Sequence, residues 1–400
     1  MEKIQATSRL SLLFSISWES DGTRHSERFF AEKVSMWRDL FPGSMHAELL
    51  GKQVGDTVQV KVLPADFIAP FSARLLRTVR RKQFALPRGI QPLLGRFYPQ
   101  YSLQDVPGVF PTSIAPCRFV EEHGDNLVVD LNHPLAGKEL TISATILRIE
   151  QPQVERGGRC EAWLETISAG GPGMQKRLPG KVLTFTEGAF ARENERPDSL
   201  FYQSPRLLQH LDSTARRIIG EEYAKALPMS GDILDLMGSW DSHLPGDFPI
   251  GSLTVLGMNQ EELDKNARAT ATVVHDLNAD PRLPFADGSF GGILNTASIE
   301  YATDPQQLCR EISRILRPGG TVAIAFSNRW FPTKAIALWS QLHEFERLGL
   351  VVDLLDAAGD FQNFTTLSVR GYPRPDDDTH DLALSDPVYM VTAKKKTDHH

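Results

Sequence analysis

At 400 residues the chain is long enough for two or three domains, and its 41% hydrophobic and 23% charged residues are ordinary for a globular fold. A net charge of −7 excludes a chain that grips nucleic acid by overall charge. Cys117, Cys160 and Cys309 are widely spaced and form no metal pattern, and no apolar run reaches spanning length, so a cytoplasmic protein with reduced thiols, no bound metal and no membrane anchor is expected.

Leu10, Leu12, Phe14, Ile16 and Trp18 alternate on one face of a predicted strand, and Asp21-Gly22 signals a hairpin turn. Residues 51–56 read as a turn into an alternating strand at 57–62. Residues 71–101 carry Arg74, Arg77, Arg80, Arg81, Lys82, Arg88 and Arg96, with no acid before Asp105. Leu75, Leu76, Val79 and Phe84 keep a helix-like spacing there. Two readings stand: a basic amphipathic grip on an acidic or unfolded partner, or a solvated helix or loop covering a small core. The second is preferred. Residues 126–147 read as strand, turn and long alternating strand.

Within that stretch, Asp130-Leu-Asn-His-Pro-Leu-Ala-Gly137-Lys-Glu-Leu140 resembles the SlyD-like branch of the FKBP-type peptidyl-prolyl isomerases. The resemblance implies an α+β FKBP domain over 1–150, with an inserted flap subdomain at about 73–129 that carries chaperone-like binding. It also implies an aromatic pocket. Phe14 matches its early aromatic, the Asp of the pocket is replaced near Ser26, and the later aromatic falls within 67–71. That altered lining implies weak or no isomerase activity. The His-rich nickel-binding tail of the family is absent; His399 and His400 are native or the start of a tag.

Residues 151–180 are expected to be a linker, because Gly157-Gly158 and 170–173 break any long element; a short stretch at 160–167 could be ordered. Ser204-Pro205 is expected to open a helix, with Leu207, Leu208, Leu211, Ala215, Ile218, Ile219 and Tyr223 on one face and Pro228 at its end. Between 231 and 276 three short apolar runs each end in a polar or glycine-containing turn, the pattern of buried parallel strands. Asp235, Gly238, Asn259 and Asp276 then share the sheet edge where open α/β sheets bind ligands. Further on, strands are expected at 291–295, 321–326 and 389–393, and helices at 305–316, 331–339 and 345–358. Residues 1–150 hold 18 basic and 16 acidic side chains and the remainder 25 and 34, so the second half is the acidic one and a nucleic-acid face on it is not expected.

Five segments in order resemble the class I S-adenosylmethionine-dependent methyltransferases: Asp235-x-x-Gly238, Asn259, Asp276-Leu277, Pro284-Phe-Ala-Asp-Gly-Ser-Phe290 and Leu316-Arg-Pro-Gly-Gly320. The resemblance implies an α/β Rossmann-like domain over 181–396. It implies S-adenosylmethionine as cofactor, bound by Asp235, Met237, Gly238, Ser239, Trp240, Met258, Asn259, Asp276, Leu277 and Asn295. Two departures stand out. Ser239-Trp240 and Ser242-His243 replace the later small residues of the usual loop, and Asn259 is neutral where an acid usually holds the ribose.

Methyl transfer needs mainly alignment, and a base only when the nucleophile must lose a proton. His243 is a candidate base, or a group that bonds the loop backbone. Glu300 and Tyr301 are substrate-side catalytic candidates, or a capping acid beside a core aromatic. Asn328 and Arg329 are candidates for a substrate carboxylate, although Arg329 could equally pair with an internal acid. Tyr202 with Phe201 forms a lid, or a hydrophobic staple. Two functions compete. One is a methyltransferase on a small-molecule acceptor with an FKBP-like accessory domain, which has room for a protein client. The other is a binding or chaperone-like isomerase whose methyltransferase fold is inactive. No nucleic-acid or membrane partner is expected.

Overall fold

Alternation decides the first strands. The apolar face of β1 (Arg9–Ser20) is wholly buried: Leu10, Leu12, Phe14, Ile16 and Trp18 are each at most 3% exposed. In this computed structural model, which describes residues 2–62, 68–86, 90–150, 157–178 and 185–397, β1 lies in a sheet of order β2-β1-β8-β3. Its other members are β2 (Thr23–Ser35), β3 (Thr57–Val62) and β8 (Leu140–Glu150), and β8 pairs antiparallel with both β1 and β3. Helix α1 (Met45–Leu49) adds Met45 and Leu49 to the same core.

The insert forms its own antiparallel sheet of order β4-β7-β6-β5, from β4 (Leu76–Arg80), β5 (Phe97–Pro99), β6 (Pro116–His123) and β7 (Asn126–Asp130). Val79, Phe84, Phe119, Leu127 and Val129 make a separate small core beneath it. The helix expected from the spacing of Leu75 to Phe84 does not form. Residues 76–80 pair instead with β7, where Thr78 and Val79 suit a strand.

Two further expectations are corrected. Residues 157–178 are not a linker. Helix α2 (Trp163–Ser168) sends Trp163, Leu164 and Ile167 into the first core. Trp163 stacks on Phe14 at 5.6 Å, and its indole N–H donates to the buried Asp39 carboxylate at 3.0 Å. Phe14 is therefore a core residue. Gly173 has a φ of 94°, and a Cβ there would stand 2.8 Å from Pro134, so this glycine permits a close approach, not a loose tether. Phe67, Arg88, residues 152–156, residues 179–180, His399 and His400 lie outside the described residues.

Two compact units result: residues 1–21 with 25–184, and residues 22–24 with 185–400. In the second, short apolar runs, buried on both faces except in β11, build parallel strands β9 (Asp232–Leu236), β10 (Ser252–Gly257), β11 (Ala271–Val274), β12 (Phe290–Thr296) and β13 (Leu316–Phe326). Their order is β11-β10-β9-β12-β13, followed by β15 (Val388–Lys395) and β14 (Phe361–Arg370), with β15 antiparallel to both neighbours. This is the doubly wound order with one antiparallel strand inserted near the edge. β14 escapes its sequence because an irregularity between Gln362 and Thr365, with Asn363 at φ 56°, interrupts the alternation.

Short helices α3 (Asp198–Phe201), α5 (Gln260–Asp264) and α7 (Ala337–Gln341), and longer α4 (Ser213–Ala226), α6 (Pro305–Ile315) and α8 (Glu344–Ala357), complete the unit. The leading helix α4 does not open at Ser204-Pro205. Asp212 caps it, accepting from the Ala215 N–H at 2.8 Å, and is itself held by the Asp386 N–H at 2.6 Å. Leu207 and Leu208, expected on its buried face, are exposed. The helix expected at 331–339 likewise starts only at Ala337. Lys334, fully buried and bonded to Asp198 and the Arg196 carbonyl, holds the preceding turn.

Candidate active site

A cavity of about 670 Å³ is lined by residues at or just beyond the carboxyl ends of β9 to β13 and by the segment before α4. Its floor begins at Asp235, the penultimate residue of β9. Gly238 turns the chain directly over that side chain: a Cβ at 238 would lie 2.5 Å from the Asp235 carboxyl carbon, and the Gly238 N–H donates to the Leu256 carbonyl at 2.8 Å. Only glycine fits this approach. Met237 (φ 59°) and Ala297 (φ 47°), after β9 and β12, adopt left-handed backbone and both line the cavity. Such strain gathers where a site over-determines its backbone.

Asp235 is 2% exposed, and its Oδ2 has no hydrogen-bond partner among the described residues. Burial pushes this carboxyl up to about 7, against opposing pulls from Ser242 and His243. Met237, Gly238, Ser239, Trp240, Met258, Asp276 and Leu277, all expected around a cofactor, line the same cavity. Asp276 uses Oδ1 to accept the Asn278 and Ala279 N–H groups at 3.1 and 3.2 Å. Its Oδ2 carries no hydrogen bond among the described residues.

Two expected binders are turned elsewhere. Asn259 caps α5: its Oδ1 accepts the Glu262 N–H at 3.2 Å and its Nδ2 donates to the Tyr202 and Gln203 carbonyls at 2.9 and 3.1 Å. The acid that reaches the cavity after β10 is Glu262 of α5, bonded to the Ser239 hydroxyl and the Arg206 N–H, both at 2.6 Å. Asn295 is buried behind the floor, where its Nδ2 donates to the Leu236 carbonyl at 2.8 Å and braces the end of β9.

The catalytic candidates divide. His243 (φ 56°) lines the cavity, with Nδ1 3.2 Å from Asp241 Oδ2 at an angle poor for a hydrogen bond. Burial pushes Asp241 up, but the His243 side chain and N–H and the Gln209 amide outweigh it and hold the carboxyl well below its usual range. Tyr301 lines the cavity too, and its hydroxyl accepts the Phe331 N–H at 2.9 Å. Burial and the neighbouring Glu300 keep that hydroxyl protonated far above the ordinary phenol range, so it can donate but not act as a base. Glu300 itself does not line the cavity; it is 1% exposed on the turn after β12, beneath it.

The substrate-side residues Tyr202, Asn328 and Arg329 all line the cavity. Arg329 pairs with the internal acid Asp386 through Nε at 3.0 Å. Residues that sequence reasoning missed join them: Arg206, His210, Asn278, Trp330 and Phe331. Asn278 ties the wall together, donating to Asp198 and the Tyr301 carbonyl and accepting from Thr303. Asp198 is neutralised by Arg192 and Lys334, each at 2.8 Å, and although burial opposes it these partners lower its pKa. No group of three or more potential metal ligands occurs among the described residues, and no described helix is long and apolar enough to cross a membrane.

Known proteins agree with this geometry. Residues 248–324 match the methyltransferase domain family. The ubiquinone/menaquinone biosynthesis C-methyltransferase UbiE of Bartonella quintana is 32% identical over 132 residues, covering 32% of this chain and 49% of that protein. The FKBP-type peptidyl-prolyl cis-trans isomerase SlyD of Haemophilus influenzae is 31% identical over 109 residues, covering 27% of this chain and 51% of its own. The chain thus spans about half the length of these curated relatives. A solved S-adenosylmethionine-dependent methyltransferase from Mesorhizobium loti covers 42% of this chain and 94% of its own at 15% identity, with a TM-score of 0.29, too low to add weight. Residues 248–324 of the second unit thus carry a methyltransferase domain, and the N-terminal region is similar to a SlyD FKBP-type isomerase.

Proposed function

We propose that the chain transfers a methyl group from S-adenosylmethionine to a small-molecule acceptor bound in the same cavity. The observation that carries this reading is one continuous cavity. It joins the strand-end groups Asp235, Gly238 and Asp276 to an aromatic and basic wall formed by Tyr202, Arg206, Tyr301, Trp330 and Phe331. The cofactor fits the first side. The close turn at Gly238 admits a ligand against backbone, Asp276 keeps one carboxylate oxygen available, and Met258 and Leu277 supply apolar walls. When bound, the cofactor supplies an electrophilic methyl on sulfur. The chain's own part is to align the acceptor, exclude water and receive a proton where the acceptor must lose one. His243 is the group placed to accept that proton, because it lines the cavity, Asp241 Oδ2 stands 3.2 Å from its Nδ1, and its Nε2 has no partner among the described residues. Tyr301, whose hydroxyl accepts the Phe331 N–H, keeps its own proton to donate to the acceptor and position it.

The first unit acts in this reading as an accessory domain of weak or no isomerase activity that offers a surface to a protein client. Its insert exposes Phe110 and Ile114 at 72% and 82%, which supports such a surface. A cytoplasmic setting belongs to the same reading, supported by three free thiols, of which Cys160 is exposed. The diversion of Asn259 into a helix cap favours the competing reading, a binding protein with an inactive domain. Calorimetry of the full chain with S-adenosylhomocysteine decides between them. Binding is expected, and Asp276→Ala should weaken it by roughly 1–3 kcal/mol, the loss of a charge-assisted hydrogen bond. No heat with either S-adenosylhomocysteine or S-adenosylmethionine at millimolar ligand would rule out the methyltransferase reading.

A further inference from the structure

Charge is segregated around the cavity. Asp235 in β9, Asp241 after it, Glu262 after β10 and Asp276 after β11 all line the cavity. On the other side stand two guanidinium groups. That of Arg206 lies over the rings of Phe201, Phe331 and Tyr202 at 4.3, 5.1 and 5.6 Å, donates through Nη2 to the Phe201 carbonyl at 3.0 Å, and has no carboxylate partner among the described residues. That of Arg329 follows β13 and reaches Asp386 only through Nε, and Asp386 also serves Arg374 at 2.9 Å. Both terminal nitrogens of Arg329 lack a partner among the described residues, and Nη2 is buried in that state. An unpaired buried donor beside a cavity is costly until a ligand satisfies it. Trp330 and Phe331, which follow Arg329 directly in the chain, line the same cavity.

An acidic side suits a cationic cofactor, and a basic, aromatic side suits a planar anion. Resting on the methyltransferase reading, we propose that the acceptor is a small aromatic carboxylate, held by Arg329 and Arg206 against Trp330 and Phe331.

The test uses the full chain saturated with S-adenosylhomocysteine and titrated with three probes of one shape: 4-hydroxybenzoate, 4-hydroxybenzamide and 4-hydroxybenzylamine. The carboxylate is expected to bind at least about tenfold more tightly than the amide, with the amine weakest. Arg329→Gln should erase most of that preference. Arg206→Gln tests the same point from the other wall, should Arg329→Gln fold poorly without its Asp386 bond. Equal affinity for the three probes, no binding of any at millimolar concentration, or an unchanged preference in both variants overturns the acceptor class while S-adenosylhomocysteine binding keeps the methyltransferase reading. Failure of S-adenosylhomocysteine itself to bind removes both.

Discussion

Asp235 and Glu300 are two carboxyl groups with one burial and two kinds of company. Each is at most 2% exposed, and each leaves oxygen without a hydrogen bond among the described residues: Oδ2 of Asp235 and both oxygens of Glu300. Burial pushes the first up to about 7 and the second up to about 8. Yet Asp235 lies under the Gly238 turn at the cavity floor, whereas Glu300 is cut off from the cavity. The charge that most offsets its burial is Arg347, whose guanidinium stacks on Trp330 at 4.2 Å and Trp339 at 5.3 Å. A strongly shifted group is a site candidate only where a ligand can reach it. By that criterion Asp235 belongs to the site and Glu300 to its support.

The sharpest break in the comparison is at Gly238. A valine there would force its Cβ against the Asp235 carboxyl and open the turn. Affinity for S-adenosylhomocysteine should fall by about a hundredfold or more, the order of ~3 kcal/mol for displacing several cofactor contacts together. Circular dichroism and a thermal melt would confirm that the fold survives. Unaltered affinity in a folded Gly238→Val protein would mean that the turn is no part of the cofactor site.

The sequence made this floor legible and concealed the walls. Asp235, Gly238 and Asp276 stand at strand ends, and strand ends follow from short apolar runs, so the topology alone brings them together. Asn259 has the same placement, but its amide finds a helix N-terminus and two carbonyls nearer than any ligand, a competition that no spacing reveals. Arg206 and His210 were hidden because the leading helix begins at Ser213, eight residues after Pro205, which frees the intervening segment to fold over the cavity. The Asp386 contact that locks the Asp212 cap is 174 residues distant in sequence. In the first unit the glycines at 170–173 looked like a tether, since a glycine needed for contact with Pro134 and one needed for freedom read alike.

Glu300→Gln is the next largest test. Burial raises the folded-state pKa of Glu300 to about 8, while the unfolded chain titrates in the ordinary carboxylate range near 4. Between those values the folded state holds the extra proton, so this group's contribution to stability is complete below about pH 4 and declines as pH rises toward 8. Glutamine keeps the shape and has no proton to lose. The variant should be more stable than the wild type by roughly 1–3 kcal/mol at pH 8, with the gap closing toward pH 5, as read from urea midpoints at both pH values. S-adenosylhomocysteine affinity should move by less than about twofold, since no contact to the cavity is lost. A large fall in affinity with the fold intact would return Glu300 to the site.

The smallest effect is the one that separates the two carboxyls most directly. With its pKa raised to about 7, Asp235 is largely protonated at pH 6 and largely ionised at pH 8 before cofactor binds. The cofactor carries an ammonium group, which favours the ionised floor, so affinity for S-adenosylhomocysteine should strengthen as pH rises across this window. The gain is bounded by the change in the ionised fraction, at most about tenfold. Calorimetry at half-unit pH steps from 6 to 8 reads it. Asp235→Asn should bind more weakly and lose the slope, because an amide does not titrate there; Glu300→Gln should keep the slope. A slope that persists in Asp235→Asn would assign the titration to another group and remove Asp235 from the cofactor site. A slope lost in Glu300→Gln instead would reverse the division between site and support.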